Sequence, residues 1–334
     1  MRFRLVTVLA LATGCSDYEF HAKDEANAGW DDTGVPGETG FVGWSACEEM
    51  PSATPGQVDL NVECETTLQT GTFNPTVEWE YGSSDFCGPA VVGATRDTNQ
   101  SGALDAKDTP FVFMVQMGSV HAINGATGQK VWDSPAIASE LGGMAYGDVT
   151  GDGVPDIVTA GTDKVCALDG ATGAVHWCNQ NLVGAMDPYG YNYPAIADMN
   201  GDGQVEVTMG SVIMRGADGT ELGRGPHGIG AGPYTGSVGT YGSMSVPIDL
   251  DGDGQLELVT GNAAYNIDGS VKWYNGGPDG IVAVADFDGD GQGEIVRTGG
   301  SIIEGLETDG SSQWRVDHST GGYMAIGSPA IDDL

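Results

Sequence analysis

From about residue 75 onward, apolar residues fall in short runs separated by polar, glycine-rich breaks. One run leads into an acidic segment, as in Tyr193-Pro-Ala-Ile-Ala197, and a second follows it, as in Asp156-Ile-Val-Thr159. A third enters an Asp-Gly turn, as in Val165-Cys-Ala-Leu168, and a fourth carries a tryptophan. Short apolar runs bounded by Gly and Asp predict strands rather than helices. The set of four repeats along the chain. Four strands per ~40–50 residues is the arithmetic of a propeller blade. The predicted fold is therefore all-β, a β-propeller of four-stranded blades. No apolar run reaches the ~18–20 residues that a membrane-spanning helix needs.

The acidic segments are the strongest signal. They run Asp97–Asp105, Asp148–Asp156, Asp198–Glu206, Asp249–Glu257 and Asp286–Glu294. Pro329-Ala-Ile-Asp-Asp-Leu334 matches Pro194-Ala-Ile-Ala-Asp-Met199, so a sixth copy is expected to start at Asp333, in a chain truncated at its C-terminus. Successive copies start 51, 50, 51, 37 and 47 residues apart. A second pattern runs in phase. Ile123-Asn-Gly-Ala-Thr-Gly-Gln-Lys-Val-Trp132 and Leu168-Asp-Gly-Ala-Thr-Gly-Ala-Val-His-Trp177 are tight turns ending in Trp. Shorter versions end at Trp273 and Trp314, and Leu222 is assigned the Trp slot of the third block. Trp79 precedes the first loop on a strand placed to close a ring. The recurring indoles are expected to pack between blades, where a large flat ring buries much area.

Oxygen donors recur at positions 1, 3, 5 and 9 of each loop, and Gly at position 6 permits the sharp turn that converges them. Hard oxygen ligands in a flexible loop suit Ca²⁺, and without a cation the carboxylates repel one another. The candidate ligands are Asp97, Asn99, Ser101 and Asp105 in loop one, and Asp148, Thr150, Asp152 and Asp156 in loop two. They are Asp198, Asn200, Asp202 and Glu206 in loop three, and Asp249, Asp251, Asp253 and Glu257 in loop four. Loop five offers Asp286, Asp288, Asp290 and Glu294. Counting acids, affinity is expected to rise from loop one through loops two and three to loops four and five. An EF-hand needs an acid at position 12. Only Asp108 of loop one supplies it, between strand-like flanks, so helix–loop–helix is rejected. At tenfold excess over Kd each site adds ~1.4 kcal/mol, and five sites add ~7 kcal/mol, comparable with a domain's net stability. Several structural calcium ions are expected.

These loops and turns resemble the FG-GAP/VCBS repeats of integrin-α-type β-propellers, over about residues 75–334. The Phe-Gly and Gly-Ala-Pro signature is poorly kept, so the resemblance rests on the loops and the period. It implies a binding or adhesion module for an extracellular protein or glycan. The Gly-Ala-Thr-Gly turns with their Trp also resemble the docking motifs of quinoprotein dehydrogenases, although the chain has no adjacent cysteine pair. Some propeller polysaccharide lyases carry similar calcium loops, yet a lyase acting on uronates needs cationic groups, which are scarce here. An enzyme of either type, or a purely structural envelope component, is the alternative function. The histidines (His21, His121, His176, His227, His318) are scattered among blocks, and no catalytic residue is assigned.

Composition sharpens these exclusions. The 334 residues hold 55 Gly, with 47 acidic against 12 basic side chains and a net charge of −35. Such a chain repels phosphate backbones and anionic lipid, so nucleic acid is excluded as a partner. The basic Met1-Arg-Phe-Arg4, a short apolar stretch and Leu11-Ala-Thr-Gly-Cys15 read as an export signal. Residues 1–15 resemble a lipobox-bearing leader with Cys15 lipidated; an ordinary signal peptide cleaved near Ala12 or Gly14 is the other reading. Ser16 after the cysteine implies, by resemblance, the outer membrane or cell surface of a bacterium, with the lipid as the sole membrane contact. Residues 16–45 form an acidic tether of ~30 Å reach. Residues 46–88 are a cysteine-containing segment, and the blades occupy 89–334. Cys166 and Cys178 bracket one hairpin and are expected to pair. Cys47 is expected to pair with Cys64, leaving Cys87 over.

Overall fold

The structure is a computed structural model that describes residues 76–82, 88–180, 182–231, 242–287, 292–299, 302–317 and 329. Cys15, Cys47, Cys64, Cys87, Asp288, Asp290, the tether and the sixth repeat lie outside the described residues. The repeat pattern produces five four-stranded antiparallel sheets, each built from strands consecutive in sequence. Blade 1 holds β1 (Val91–Gly93), β2 (Phe111–Gln116), β3 (Ser119–Asn124) and β4 (Lys130–Asp133). Blade 2 holds β5 (Met144–Gly147), β6 (Asp156–Ala160), β7 (Lys164–Leu168) and β8 (Val175–Gln180). Blade 3 holds β9 (Ala195–Ala197), β10 (Glu206–Met209), β11 (Val212–Arg215) and β12 (Glu221–Arg224). Blade 4 holds β13 (Val246–Ile248), β14 (Glu257–Val259), β15 (Ala263–Tyr265) and β16 (Val271–Tyr274). Blade 5 holds β17 (Ile281–Ala285), β18 (Glu294–Gly299), β19 (Ile302–Leu306) and β20 (Ser312–Asp317). The fold is the expected β-propeller, and every acidic loop joins a first strand to a second.

The core sits between the blades. Phe113 and Trp132 of blade 1 pack with Ile157 and Leu168 of blade 2. Val158 and Trp177 of blade 2 pack with Val207 and Met214 of blade 3. Ile213 of blade 3 meets Leu258 and Tyr265 of blade 4, and Val259 of blade 4 meets Ile295 and Leu306 of blade 5. Middle strands are thus covered on both faces. That explains why β6, β10, β14 and β15 are buried throughout, without the in-and-out alternation of a half-exposed strand. From Glu78 onward the described residues belong to one compact unit.

Tryptophan ties reinforce these junctions. Each of these indoles lies on the turn between the third and fourth strands of the blade that follows it in sequence. Trp79 donates to the Gly125 carbonyl at 2.7 Å, Trp132 to Gly170 at 3.2 Å and Trp177 to Gly216 at 2.7 Å. A Cβ on Gly173, which has φ +75°, would lie 2.4 Å from the Trp132 ring, so only glycine fits beneath the indole. Trp273 lies on Gly310 in the same way, on a turn one residue shorter, and among the described residues its indole N–H has no partner.

Each third–fourth strand pair carries a bulge at the same place. The register shows that Leu222 is the bulged residue of blade 3, the counterpart of His176 and Lys272. Gly223 opposes Ile213, as Trp177 opposes Ala167. The Trp slot of the third block is therefore held by Gly223, not Leu222. The reason is close approach: a Cβ on Gly223 would lie 2.3 Å from the Asp268 carbonyl carbon of the next turn. At this contact backbone packs on backbone, and the ring that this junction buries is Tyr265 of blade 4, which lies against Gly225.

Candidate functional site: the acidic loops and the opposite end

Antiparallel order sorts the connections. Acidic loops and third–fourth strand turns share one end of every blade. Second–third strand hairpins and blade-to-blade connections share the other.

The loops repeat one frame. The position-1 carboxylate accepts loop backbone N–H groups. Asp249 accepts from Gly252 at 2.7 Å, Asp253 at 3.2 Å and Gly254 at 2.9 Å. Asp148 accepts from Gly151 at 2.7 Å and Gly153 at 2.8 Å, Asp198 from Asp202 at 3.1 Å and Gly203 at 2.8 Å, and Asp97 from Ser101 at 3.0 Å and Gly102 at 2.7 Å. The position-9 acid opens the second strand and accepts the N–H of position 2. Val149 donates to Asp156 at 3.0 Å, Met199 to Glu206 at 2.9 Å, Leu250 to Glu257 at 3.0 Å and Phe287 to Glu294 at 2.6 Å. Asp286 stands at position 1 of loop five. Position 5 closes an Asx turn, with Val154 on Asp152, Gln204 on Asp202 and Gln255 on Asp253, each at 2.8 Å.

Loop one departs from this frame. The Thr98 N–H at position 2 goes to Asp108 at 2.6 Å, and Asp105 accepts instead from Asn99 Nδ2 and Lys107 N, both at 2.8 Å. Asp108 is buried and fills the structural place of the position-9 acid. The N–H of Asp105, aided by Asn99 and Thr98, holds its carboxyl below the usual range. Position 4 here is Gln100 with φ 60°, where loops two to four have glycine.

The bulged residue of the fourth strand lies beside the position-9 acid. His176 Nε2 is 3.1 Å from Asp156 Oδ1. Lys272 Nζ is 2.6 Å from both Glu257 Oε1 and Asp251 Oδ2. Burial pushes the carboxyls of Asp156, Glu206 and Glu257 up, against the pull of the N–H groups and, for Asp156 and Glu257, of His176 and Lys272. In loop four, Asp249, Asp251 and Glu257 each offer an oxygen, all within 4.8 Å of one another. Among the described residues no other loop brings three acids together so closely, and Asp253 lies outside the group. Three converging carboxylates fit a hard cation of the calcium type. The Lys272 ammonium is the positive charge that bridges two of them.

The opposite end is held by two polar groups that no repeat motif marks, Asn192, which is buried, and Asp279, which is partly buried. Asn192 donates to the Gly161 carbonyl at 2.8 Å and accepts from Asp187 N at 2.9 Å and the Ser243 hydroxyl at 2.6 Å. It fastens the connection after blade 2 to the one after blade 3. The Asp279 carboxylate accepts backbone N–H groups of Ile229 at 2.7 Å, Ala231 at 3.1 Å and Gly261 at 2.9 Å. Burial pushes its pKa up while these donors pull it down. Above this framework His227 stacks on Tyr274, ring centroids 3.7 Å apart and 5° from parallel. Tyr189 and Tyr274 stay about half exposed, at 50% and 47%.

Residues 116–241 match the family described as Outer membrane protein assembly factor BamB. In three dimensions the chain is similar to the V. cholerae biofilm matrix protein Bap1, with TM-score 0.54 and 23% identity over 72% of this chain and 42% of that one. It is also similar to the exotype rhamnogalacturonan lyase YesX, with TM-score 0.50 and 15% identity over 70% of this chain and 49% of that one. The chain spans less than half the length of either protein. No curated protein sequence matches it. These likenesses are likenesses of fold.

Proposed function

We propose that the protein is an exported, surface-tethered β-propeller that binds an extracellular protein or glycan and is stabilised by calcium in its acidic loops. The observation that carries this reading is the division of labour between the two ends. The acidic loops brace the first and second strands of each blade. The opposite end displays Tyr189 and His227 on connections fixed by Asn192 and Asp279, with Tyr274 at the end of β16 stacked on His227. Aromatic groups on rigidly held loops lose little freedom on meeting a ligand. Fold alone does not choose the ligand, since a matrix protein and a lyase have similar frames.

Loop four offers Asp249, Asp251 and Glu257 as ligands, and Asp97, Asp148 and Asp198 accept loop N–H groups in the same way as Asp249. Bound there, calcium would neutralise carboxylates that otherwise repel. A thermal melt of the full chain in 1 mM Ca²⁺ and in chelator tests this half. A rise of several degrees, reduced by Asp251→Ala with Asp253→Ala, supports it; an unchanged melt overturns it. Capture of the calcium-loaded chain on a glycan array tests the other half. Capture weakened by Tyr189→Ala with Tyr274→Ala supports the aromatic end as the binding surface, and capture unaffected by them overturns it.

A further inference from the structure

Because the blades are copies, each position in blade 5 has internal controls. One residue past the Trp register, third and fourth strands pair His121 with Asp133, Cys166 with Cys178, Val212 with Arg224, Ala263 with Tyr274, and Glu304 with Arg315. The second strand adds Met114, Thr159, Met209 and Arg297 opposite His121, Cys166, Val212 and Glu304. In blades 2 and 3 the two inner positions hold Thr with Cys and Met with Val, and the fold is built without charge there. Blade 5 instead buries both Arg297 and Glu304. A buried ion pair carries a desolvation cost that an apolar pair avoids.

Beside that pair is a cleft of about 350 Å³ between blades 4 and 5. Its volume lies at the small end of the roughly 300–1,000 Å³ of ligand clefts. Arg297, Glu304 and Leu306 line it from the buried side, Ser312 and Arg315 from β20, and residues 275–277 from blade 4. The Arg297 guanidinium is fixed, donating to the carbonyls of Gly261 at 3.1 Å and Pro278 at 2.5 Å and to Glu304 Oε2. Arg315 bonds Asp317 through Nε and Nη2. Among the described residues, Glu304 Oε1, the Ser312 hydroxyl and Arg315 Nη1 make no hydrogen bond.

The charges cancel in pairs, Arg297 with Glu304 and Arg315 with Asp317. What remains is an acceptor at depth and two donors at the rim. An anionic ligand would meet Glu304, and a cationic one would meet Arg297. A neutral ligand rich in hydroxyl groups suits both, donating to Glu304 Oε1 and accepting from Ser312 and Arg315. We infer that the cleft between blades 4 and 5 is a binding site for a neutral saccharide unit. The inference rests on the glycan side of the binding reading; Tyr189, His227 and Tyr274 are not among the residues that line the cleft, although its lining residues 275–277 directly follow Tyr274.

The test is saturation-transfer NMR on the full chain in calcium, with maltose, cellobiose and lactose as probes and galacturonate as the charged control. Transfer to at least one neutral sugar, stronger than to galacturonate, is expected. Ser312→Leu fills the rim without touching the buried pair and should cut the transfer at least tenfold with an unchanged melt. Glu304→Gln should do the same if it folds. No transfer to any neutral sugar, or transfer indifferent to Ser312→Leu, overturns the inference. Transfer lost only in the Tyr189→Ala, Tyr274→Ala variant overturns the cleft while leaving the glycan reading standing.

Discussion

Gly173 and Gly151 share nearly the same backbone, with φ of +75° and +76°, in different surroundings. A methyl on Gly151 meets nothing within 4 Å, whereas one on Gly173 meets the Trp132 ring at 2.4 Å. Gly151→Ala should therefore cost only the left-handed strain that the new Cβ introduces, about 1 kcal/mol. Gly173→Ala adds overpacking of about 1–3 kcal/mol. Urea melts of the two variants check the difference; equal losses would mean the indole yields freely. His121 gives the pH counterpart. Its Nδ1 lies 2.7 Å from the Tyr81 hydroxyl, with Lys130 and Asp133 nearby. Burial and then Lys130 lower its pKa, and Asp133 opposes them. The folded state then binds fewer protons than the unfolded state just below the ordinary histidine value. Its contribution is full above about pH 6.5 and is lost as pH falls toward the depressed folded value. The stability difference between the natural chain and His121→Gln should shrink between pH 7.5 and 5, and a constant difference would refute the assignment.

At the scale of elements, the indole ties differ in a way that mutation can read. Trp177 donates to a carbonyl, whereas the Trp273 N–H has no partner among the described residues. Trp177→Phe should cost about 1–2 kcal/mol from the lost bond, and Trp273→Phe less than about 1 kcal/mol. Equal losses in denaturant melts would show that ring area alone matters. The sequence made much of this level legible. Strand-sized runs, acidic loops and turn-plus-Trp signatures recur in phase, and each marks a local feature with its own residue chemistry. Register was not legible. A bulge adds one residue to a fourth strand without any residue type that announces it, so Leu222 reads as the Trp equivalent and proves to be its neighbour. The approach of Lys272 to Glu257 depends on the same bulge. Asp108 was visible only as a position-12 acid. It takes over position 9 because loop one is longer, which spacing from Asp97 alone does not reveal. Asn192 and Asp279 carry no motif, since their work is to satisfy backbone groups distant in sequence.

For the whole molecule, the net charge of −35 sets a background against which any cation effect must be read. Like charges crowd a compact fold more than an extended chain, so self-repulsion opposes folding at low salt. Raising NaCl from about 10 to 150 mM shortens the screening length from ~30 to ~8 Å and should raise the melting temperature by itself. Calcium added at low ionic strength would mix this screening with binding in the loops. At a fixed 150 mM NaCl, 1 mM CaCl₂ changes the screening length very little, so a further rise must come from occupied sites. Magnesium is the control, because it dehydrates reluctantly and demands a tighter octahedral set than a flexible loop provides. The expected order at that salt is calcium well above magnesium, and magnesium close to chelator. Asp251→Ala should remove part of the calcium increment and leave the NaCl increment unchanged, because one acid among 47 barely alters the total field. Equal increments from calcium and magnesium would mean that the loops act as a diffuse anionic surface. The Lys272 bridge between Asp251 and Glu257 would then be the loop's own neutralising charge, and the blades would owe their cohesion to the indole ties, the apolar junctions and the Asn192 and Asp279 contacts at the opposite end.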